Sequence, residues 1–500
     1  MSNTVNLGNG KWAIKDSELL GYSLTDDAEL IALTLDVSRA SSGTRVNASG
    51  LIETLTKTLS GELVTNGDFA TDSDWTKQSN WNISNGKANS NGTGLIYQTS
   101  VSYVNGKTYK VTFNVNMTSG SGTVRLGNTS TSTPFENGLN EFYLQTDVSN
   151  TTKYIFFQGN SFVGSIDNVS VVEVNQKNLA RIDYSDSTDG VLLTEPQSTN
   201  FVTDSEDFSG WLKTSGGTTT AAYGISPSGL QDATRIQFST SNDQVYIGLG
   251  VHSGNTEVAS LYVKGVSGET VQFGVGVNIG QGITISLNGD WQRITQESTS
   301  GSVLIIGSKD ATTRDIQVWG AQVEEQSYAT SYMPTYGQIA SRASDLINNG
   351  GEAINFNSEE GVLFAEIAAL ANATPQEVSF AISEGQSGAN RLLIRMKTNG
   401  AIGVVLRVAN TTQADINSSA LNQSVSHKVA VKWKLNDIAL WIDGVEVGTD
   451  SLANVFPANT LDEVSFNQGN NSNPFYGKTK SLQVFKEALT DAQLITLTTI

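Results

Sequence analysis

Short runs in which apolar and polar residues alternate, each bounded by Gly, Asn or Ser, recur along this chain and restrict its fold more than any other feature. Tyr109–Val115 (YKVTFNV), Val169–Val174 (VSVVEV), Val271–Val277 (VQFGVGV) and Lys428–Lys434 (KVAVKWK) are the clearest. A period of two sends successive side chains to opposite faces, so each run reads as a strand with one or both faces covered. Turn signals at roughly eight- to twelve-residue spacing suit antiparallel sandwiches. Two stretches read as helix instead: Ser17–Leu35, rich in Leu, Asp, Glu and Ala, and Thr490–Leu497, which opens on a capping Thr and an acidic Asp491.

The 500 residues exceed what one hydrophobic core serves, which sets an expectation of roughly three domains. An internal repeat divides the chain. One segment opens NGDFATDSDWT at Asn66 and closes IDNVSVVEV at Val174; another opens SEDFSGWLK at Ser205 and closes DIQVWGAQVEE at Glu325. Both open on an acid, a Phe and a Trp, and both close on an Asp followed by alternating apolar residues and a Glu. They read as two copies of one sandwich type. A different block follows from Gly351, in which HKVAVKWKLNDIALWIDGVEVG reads as a hairpin turning at Asn436 and Asp437, with a further turn at Asp443 and Gly444. The expected divisions are 1–60 as an attachment segment, 61–176 and 177–345 as the paired sandwiches, and 346–500 as the third. If Glu53 and Arg181 are neighbours in space, the first sandwich is an insertion.

Composition narrows the chemistry. Thirty Lys and Arg against 49 Asp and Glu give a net charge of −19, which repels phosphate backbones and anionic membranes and argues against nucleic-acid binding. There is no Cys, so disulfides, Cys-ligated zinc, iron–sulfur clusters and thiol nucleophiles are all excluded. His252 and His427 stand alone, without metal-binding spacing. Met1–Lys11 is polar and no apolar run has bilayer-spanning length, so the chain is expected to be made as a soluble cytoplasmic product. No GxSxG, HExxH or GxxxxGK run and no clustered carboxylate signature of glycoside hydrolysis is present, so no enzymatic role is expected.

TRVNASGLIE, RIDYS, GVLLTEPQSTN, SEDFSGW, VWGAQVEE and SYMPTYG, in this order, together with a twice-occurring SRAS at Ser38 and Ser341, resemble a framework found in structural proteins of tailed bacteriophages. The segment Asn66–Val174 is similar to carbohydrate-binding modules of the jelly-roll type. The block Gly351–Ile500, through WIDGVEVG and the ending KSLQVFKEALTDAQLITL, resembles a laminin-G or concanavalin-like lectin sandwich. These resemblances imply a mainly β chain: two jelly-roll-like sandwiches and one concanavalin-like sandwich, after a short, partly helical N-terminal segment. They imply a head or tail fibre, decoration or connector protein on the virion surface, oligomeric and often trimeric, in contact with other virion proteins and with host surface polysaccharide. A purely architectural role without ligand is the alternative.

Sugars are held by aromatic rings on their apolar faces and by polar side chains at their hydroxyls. Trp75, Trp81 and Tyr97 lie in the polar, Asn-rich part of the first sandwich. Trp75 reads first as a cap on the core, and Trp81, within QSNWNISNG, is the stronger glycan candidate. Trp291, Trp319 and Trp441 sit inside strand patterns and read as core. Asp68 and Asp167, with Asp207 and Asp315 in corresponding places of the second copy, either terminate strands or hold the structural calcium that jelly-roll modules often carry.

Overall fold

The structure, a computed structural model, describes the chain apart from residues 1–4, 8–12, 16–17, 25–29, 100, 132–133, 150–152, 215, 241, 250–255, 277–281, 299–301 and 310–312; up to residue 34 it describes the backbone only. The described chain is mainly β, with one α-helix, Asp491–Thr498. Its contacts divide it into two compact units. One comprises 1–55, 177–198 and 342–500, and the other 56–176 and 199–341.

The first unit is a sandwich whose larger sheet runs Leu346–Asn348, Leu30–Ser38, Glu18–Leu24, Val5–Leu7, Gly477–Phe485, Glu360–Ala369, His427–Lys434, Ile438–Ile442 and Val445–Asp450. A five-stranded sheet faces it, in the order Thr411–Ala420, Ala401–Val408, Arg391–Met396, Val378–Ser383, Glu463–Ser465. Trp433, Phe380, Phe466 and Phe475 fill the space between them. Asn436 and Asp443 take φ of 59° and 51°, as the turns read at those positions require. The helix Asp491–Thr498 is capped by Thr490, whose side chain accepts from the Gln493 amide, and it lays Leu494 against Phe364 and Trp441.

The described residues of the Ser17–Leu35 stretch are not helical. The stretch holds strands Glu18–Leu24 and Leu30–Ser38, paired Leu19 to Leu35 and Leu24 to Leu30. Helix propensity is a weak prior, and here strand partners lie on both sides, Val5–Leu7 on one and Leu346–Asn348 on the other. Within the first 55 residues, Val5–Leu7, Ala13–Lys15, Glu18–Leu24 and Leu30–Ser38 are thus strands of the larger sheet, while Thr44–Val46 and Ile52–Thr54 pair as a separate two-stranded sheet. The framework pieces 177–198 and 342–345 also fall in this unit, with Val191–Thr194 hydrogen-bonded to Gly477–Phe485.

Those framework motifs meet at a buried ionic cluster. The two SRAS copies supply Arg39 and Arg342, RIDYS supplies Arg181, LLTEPQ supplies Glu195, and Asp345 follows the second SRAS. All five are at most 3% exposed. Asp345 accepts from Arg39 Nη1 at 2.7 Å, from the Glu195 amide at 2.9 Å and from Arg181, while Glu195 binds Arg181 and, at 3.0 Å, Arg342. Burial holds Arg39 below the usual arginine range, whereas the two carboxylates around Arg181 outweigh its burial and raise it. The flanks of the 56–176 segment are adjacent as well: the Val46 amide donates to Asp183 Oδ2 at 2.8 Å and Arg45 Nη1 to the Ile182 carbonyl at 3.2 Å.

The second unit holds two sandwiches. In the first, strands Thr108–Leu126 and Tyr154–Asn175 bend at bulges and serve both layers of one core, so that Phe113 and Phe157 meet edge to face at 4.8 Å. Gly120, at φ 85°, sits at such a bend, where a Cβ would come within 2.1 Å of the Ser161 carbonyl oxygen. The other sandwich has two five-stranded sheets. The repeat read in the sequence is visible in three dimensions. Trp75 donates from Nε1 to the Asn66 carbonyl at 3.0 Å and packs on Phe69 at 5.1 Å; Trp211 donates to the Asp204 carbonyl at 3.1 Å and packs on Phe208 at 4.4 Å.

Candidate glycan-binding surface

Strand alternation sorts the three aromatic candidates. Trp81 begins the strand Trp81–Ser84, in which alternate residues are buried. It is 6% exposed and stacks on Phe162 at 5.6 Å. The polar neighbours that suggested exposure belong to the outward positions Asn82 and Ser84, while Trp81 and Ile83 point inward. Trp75, 5% exposed, also lies in the core. Trp319 and Trp441 are buried as expected, and half-buried Trp291 donates from Nε1 to the Ile225 carbonyl at 3.1 Å.

Tyr97 faces the other way. Its neighbours Ile96 and Gln98 are buried, which leaves the Tyr97 ring half-buried on the outer face of the sheet. The register places Tyr97 between Thr76 and Phe156, Phe156 beside Arg125, and Arg125 beside Ser130. These five residues form a row across five strands, roughly 19 Å long at about 4.8 Å per strand. Thr76 and Ser130 are exposed at its ends. The Arg125 guanidinium lies 5.3 Å from the Phe156 ring centroid, and Tyr154 packs on Phe156 at 5.3 Å. Arg125 Nε is buried and has no acceptor among the described residues. Rings, a guanidinium with unused donors and hydroxyls in one line are what a sugar chain needs, because its CH faces stack on rings and its oxygens accept from Arg. Phe156, Tyr154 and Arg125 escape a reading of the sequence, since only the register brings them to Tyr97.

Asp68, Asp167 and Asp207 close local turns, and Asp315 pairs across strands. Asp68 Oδ1 accepts from the Ala70 amide at 3.3 Å and Asp167 Oδ1 from the Asn168 amide at 2.7 Å. Asp207 Oδ1 accepts from the Ser209 amide at 2.8 Å, and Asp315 takes Arg235 in a fork, Nε to Oδ1 at 2.7 Å. Among the described residues no group of three or more His, Asp and Glu side chains is placed to hold a metal ion.

A carboxylate pair in the second sandwich was not legible in the sequence. Glu206 Oε1 accepts from the Tyr332 hydroxyl at 3.0 Å, which is itself 2.6 Å from Ser205 Oγ. Asp232 Oδ1 is buried without a hydrogen-bond partner among the described residues. Burial, and for Glu206 the charge of Asp232, push both upward, Glu206 to about 8 and Asp232 to about 6.

A sequence family described as the concanavalin A-like lectin/glucanases superfamily matches residues 368–495. A search of curated proteins gives no significant match. Among solved structures, the chain is similar to the CBM40 of the Ruminococcus gnavus IT-sialidase bound to α2,3-sialyllactose, at 22% identity over 28% of this chain and 83% of that one, with a TM-score of 0.25. It is also similar to the leech intramolecular trans-sialidase (20% identity, 29% and 24% covered, TM-score 0.25) and to the heptameric SAP-like pentraxin of Limulus polyphemus (15% identity, 30% and 73% covered, TM-score 0.24). The C-terminal sandwich is thus concanavalin-like, within a chain built of β-sandwiches.

Proposed function

We propose that this chain is a non-catalytic glycan-binding appendage of a tailed-phage virion, folded in the host cytoplasm and displayed on the particle surface as a homo-oligomer, a trimer in the simplest case. The observation that carries the binding half is the row Thr76, Tyr97, Phe156, Arg125, Ser130, with its half-buried rings and its buried Nε lacking an acceptor. The match of residues 368–495 to a lectin superfamily supports the same reading. The virion half rests on the resemblance of the framework motifs, of which RIDYS, GVLLTEPQSTN and the two SRAS copies meet in one buried ionic cluster. Weak single sites suffice, because many copies on one particle raise avidity. The net charge of −19 leaves nucleic acid and anionic membrane surfaces as poor partners.

A glycan array probed with the intact chain tests the binding half, and binding of a defined set of surface polysaccharides is expected. Immunogold labelling of purified particles tests the virion half, with label on head or tail as the expected result. An empty array with positive labelling would leave an architectural protein. Release of reducing sugar from a bound glycan would overturn the non-catalytic assignment.

A further inference from the structure

The five-stranded sheet of the first unit carries a charged arrangement that the Tyr97 row does not explain. Leu392, Ile394 and Met396 of one strand, and Ile402, Val404 and Leu406 of its neighbour, point into the core. Alternation therefore puts Arg391, Leu393 and Arg395, and beside them Gly403, Val405 and Arg407, on the opposite face. The register sets Arg391 directly across from Arg407, Leu393 across from Val405, and Arg395 across from Gly403. Leu393 and Val405 pack with Ala381 as a small apolar floor.

Arg395 has acidic partners, although its Nε, like those of Arg391 and Arg407, is buried without an acceptor among the described residues. It reaches Asp415, lies 3.2 Å from Asn417 Oδ1 and is 3.7 Å from Glu377. The facing pair has no acid within ion-pair reach among the described residues. Arg391, 9% exposed, donates from Nη1 to the Gln468 carbonyl at 2.7 Å, but its Nε and that of Arg407 are both buried without an acceptor among the described residues. Neither guanidinium has an ion-pair partner among those residues. Like charges directly opposite on antiparallel strands destabilise a sheet, and buried donors without acceptors add to the cost. Burial and then the charge of Arg407 hold Arg391 below the usual arginine range. A planar two-oxygen anion relieves both penalties, because guanidinium forks match a carboxylate.

We propose that Arg391 and Arg407 form a second ligand site, separate from the Tyr97 row, that binds the carboxylate of an acidic sugar. The carboxylate half follows from the arginines; the sugar half rests on the glycan-binding reading above.

The test titrates the intact chain with galacturonate, glucuronate, galactose, acetate and sulfate by NMR or calorimetry. The uronates are expected to bind in the millimolar range, at least tenfold tighter than galactose, acetate or sulfate, and more weakly as salt rises. Arg407→Gln should lower uronate affinity at least tenfold without lowering the melting temperature. Arg407→Glu, which supplies its own carboxylate to Arg391, should abolish uronate binding and raise the melting temperature. Equal binding of acetate or sulfate overturns the sugar assignment. Absence of uronate binding, or uronate binding unchanged in both variants, overturns the site. Because Tyr97 is not part of it, neutral glycans captured on the array by a chain that ignores uronates would sink this proposal alone.

Discussion

Replacing Asp345 by Asn keeps the shape of the side chain and removes the charge that two guanidiniums share. In the native cluster three guanidiniums face two carboxylates, and Asp345 is the group that binds both Arg39 and Arg181. The substitution leaves Glu195 alone against three arginines, all at most 2% exposed. Removing one partner of a buried ion pair costs about 3–5 kcal/mol, since the other charge stays buried and uncompensated. Total stability is typically about 5–15 kcal/mol, so this is a large part of it. A unit of this size loses roughly 2–4 °C of melting temperature per kcal/mol, which gives a fall of roughly 6–20 °C. Differential scanning calorimetry should show the transition of the unit containing residues 342–500 moving down while that of 199–341, which holds none of the five residues, stays in place. A fall below about 3 °C would mean that the arginines find water or other acceptors, and that the cluster is not what ties the framework motifs together.

Two further outcomes are expected. Glu206 has its folded pKa raised to about 8, so its effect on stability is most favourable below the ordinary carboxylate range and is lost as pH rises toward 8; Glu206→Gln should flatten that dependence by a few kcal/mol between about pH 4.5 and 8, read by urea denaturation at several pH values. Trp81→Ala should cost about 3–5 kcal/mol through the cavity left against Phe162, seen as a lower urea midpoint, and a variant of unchanged stability would show that the indole is not core.

What the sequence revealed follows physical range. Strands with strict alternation, the Asn436 and Asp443 turns and the capped helix at Asp491 depend on neighbours in sequence, and all are present. The Phe–Trp repeat also survives, because the spacing from Trp back to its carbonyl acceptor is local. Ser17–Leu35 misled because Leu, Ala and Glu favour helix in isolation, while the strands beside them come from residues 5–7 and 346–348. Trp81 misled because polar neighbours in a strand occupy the opposite face. The Arg391–Arg407 facing pair and the Tyr97–Phe156–Arg125 row are products of strand register, which one-dimensional patterns leave open.

The most direct test of glycan recognition is the affinity of Tyr97→Ala and Arg125→Gln, each folded as judged by its melting temperature, for a polysaccharide that the native chain captures on the array. Stacking on a ring and a charge-assisted hydrogen bond are each worth about 1–2 kcal/mol, so each variant should bind roughly tenfold more weakly. Affinity unchanged in both variants would contradict the assignment of the Tyr97 row as the glycan site.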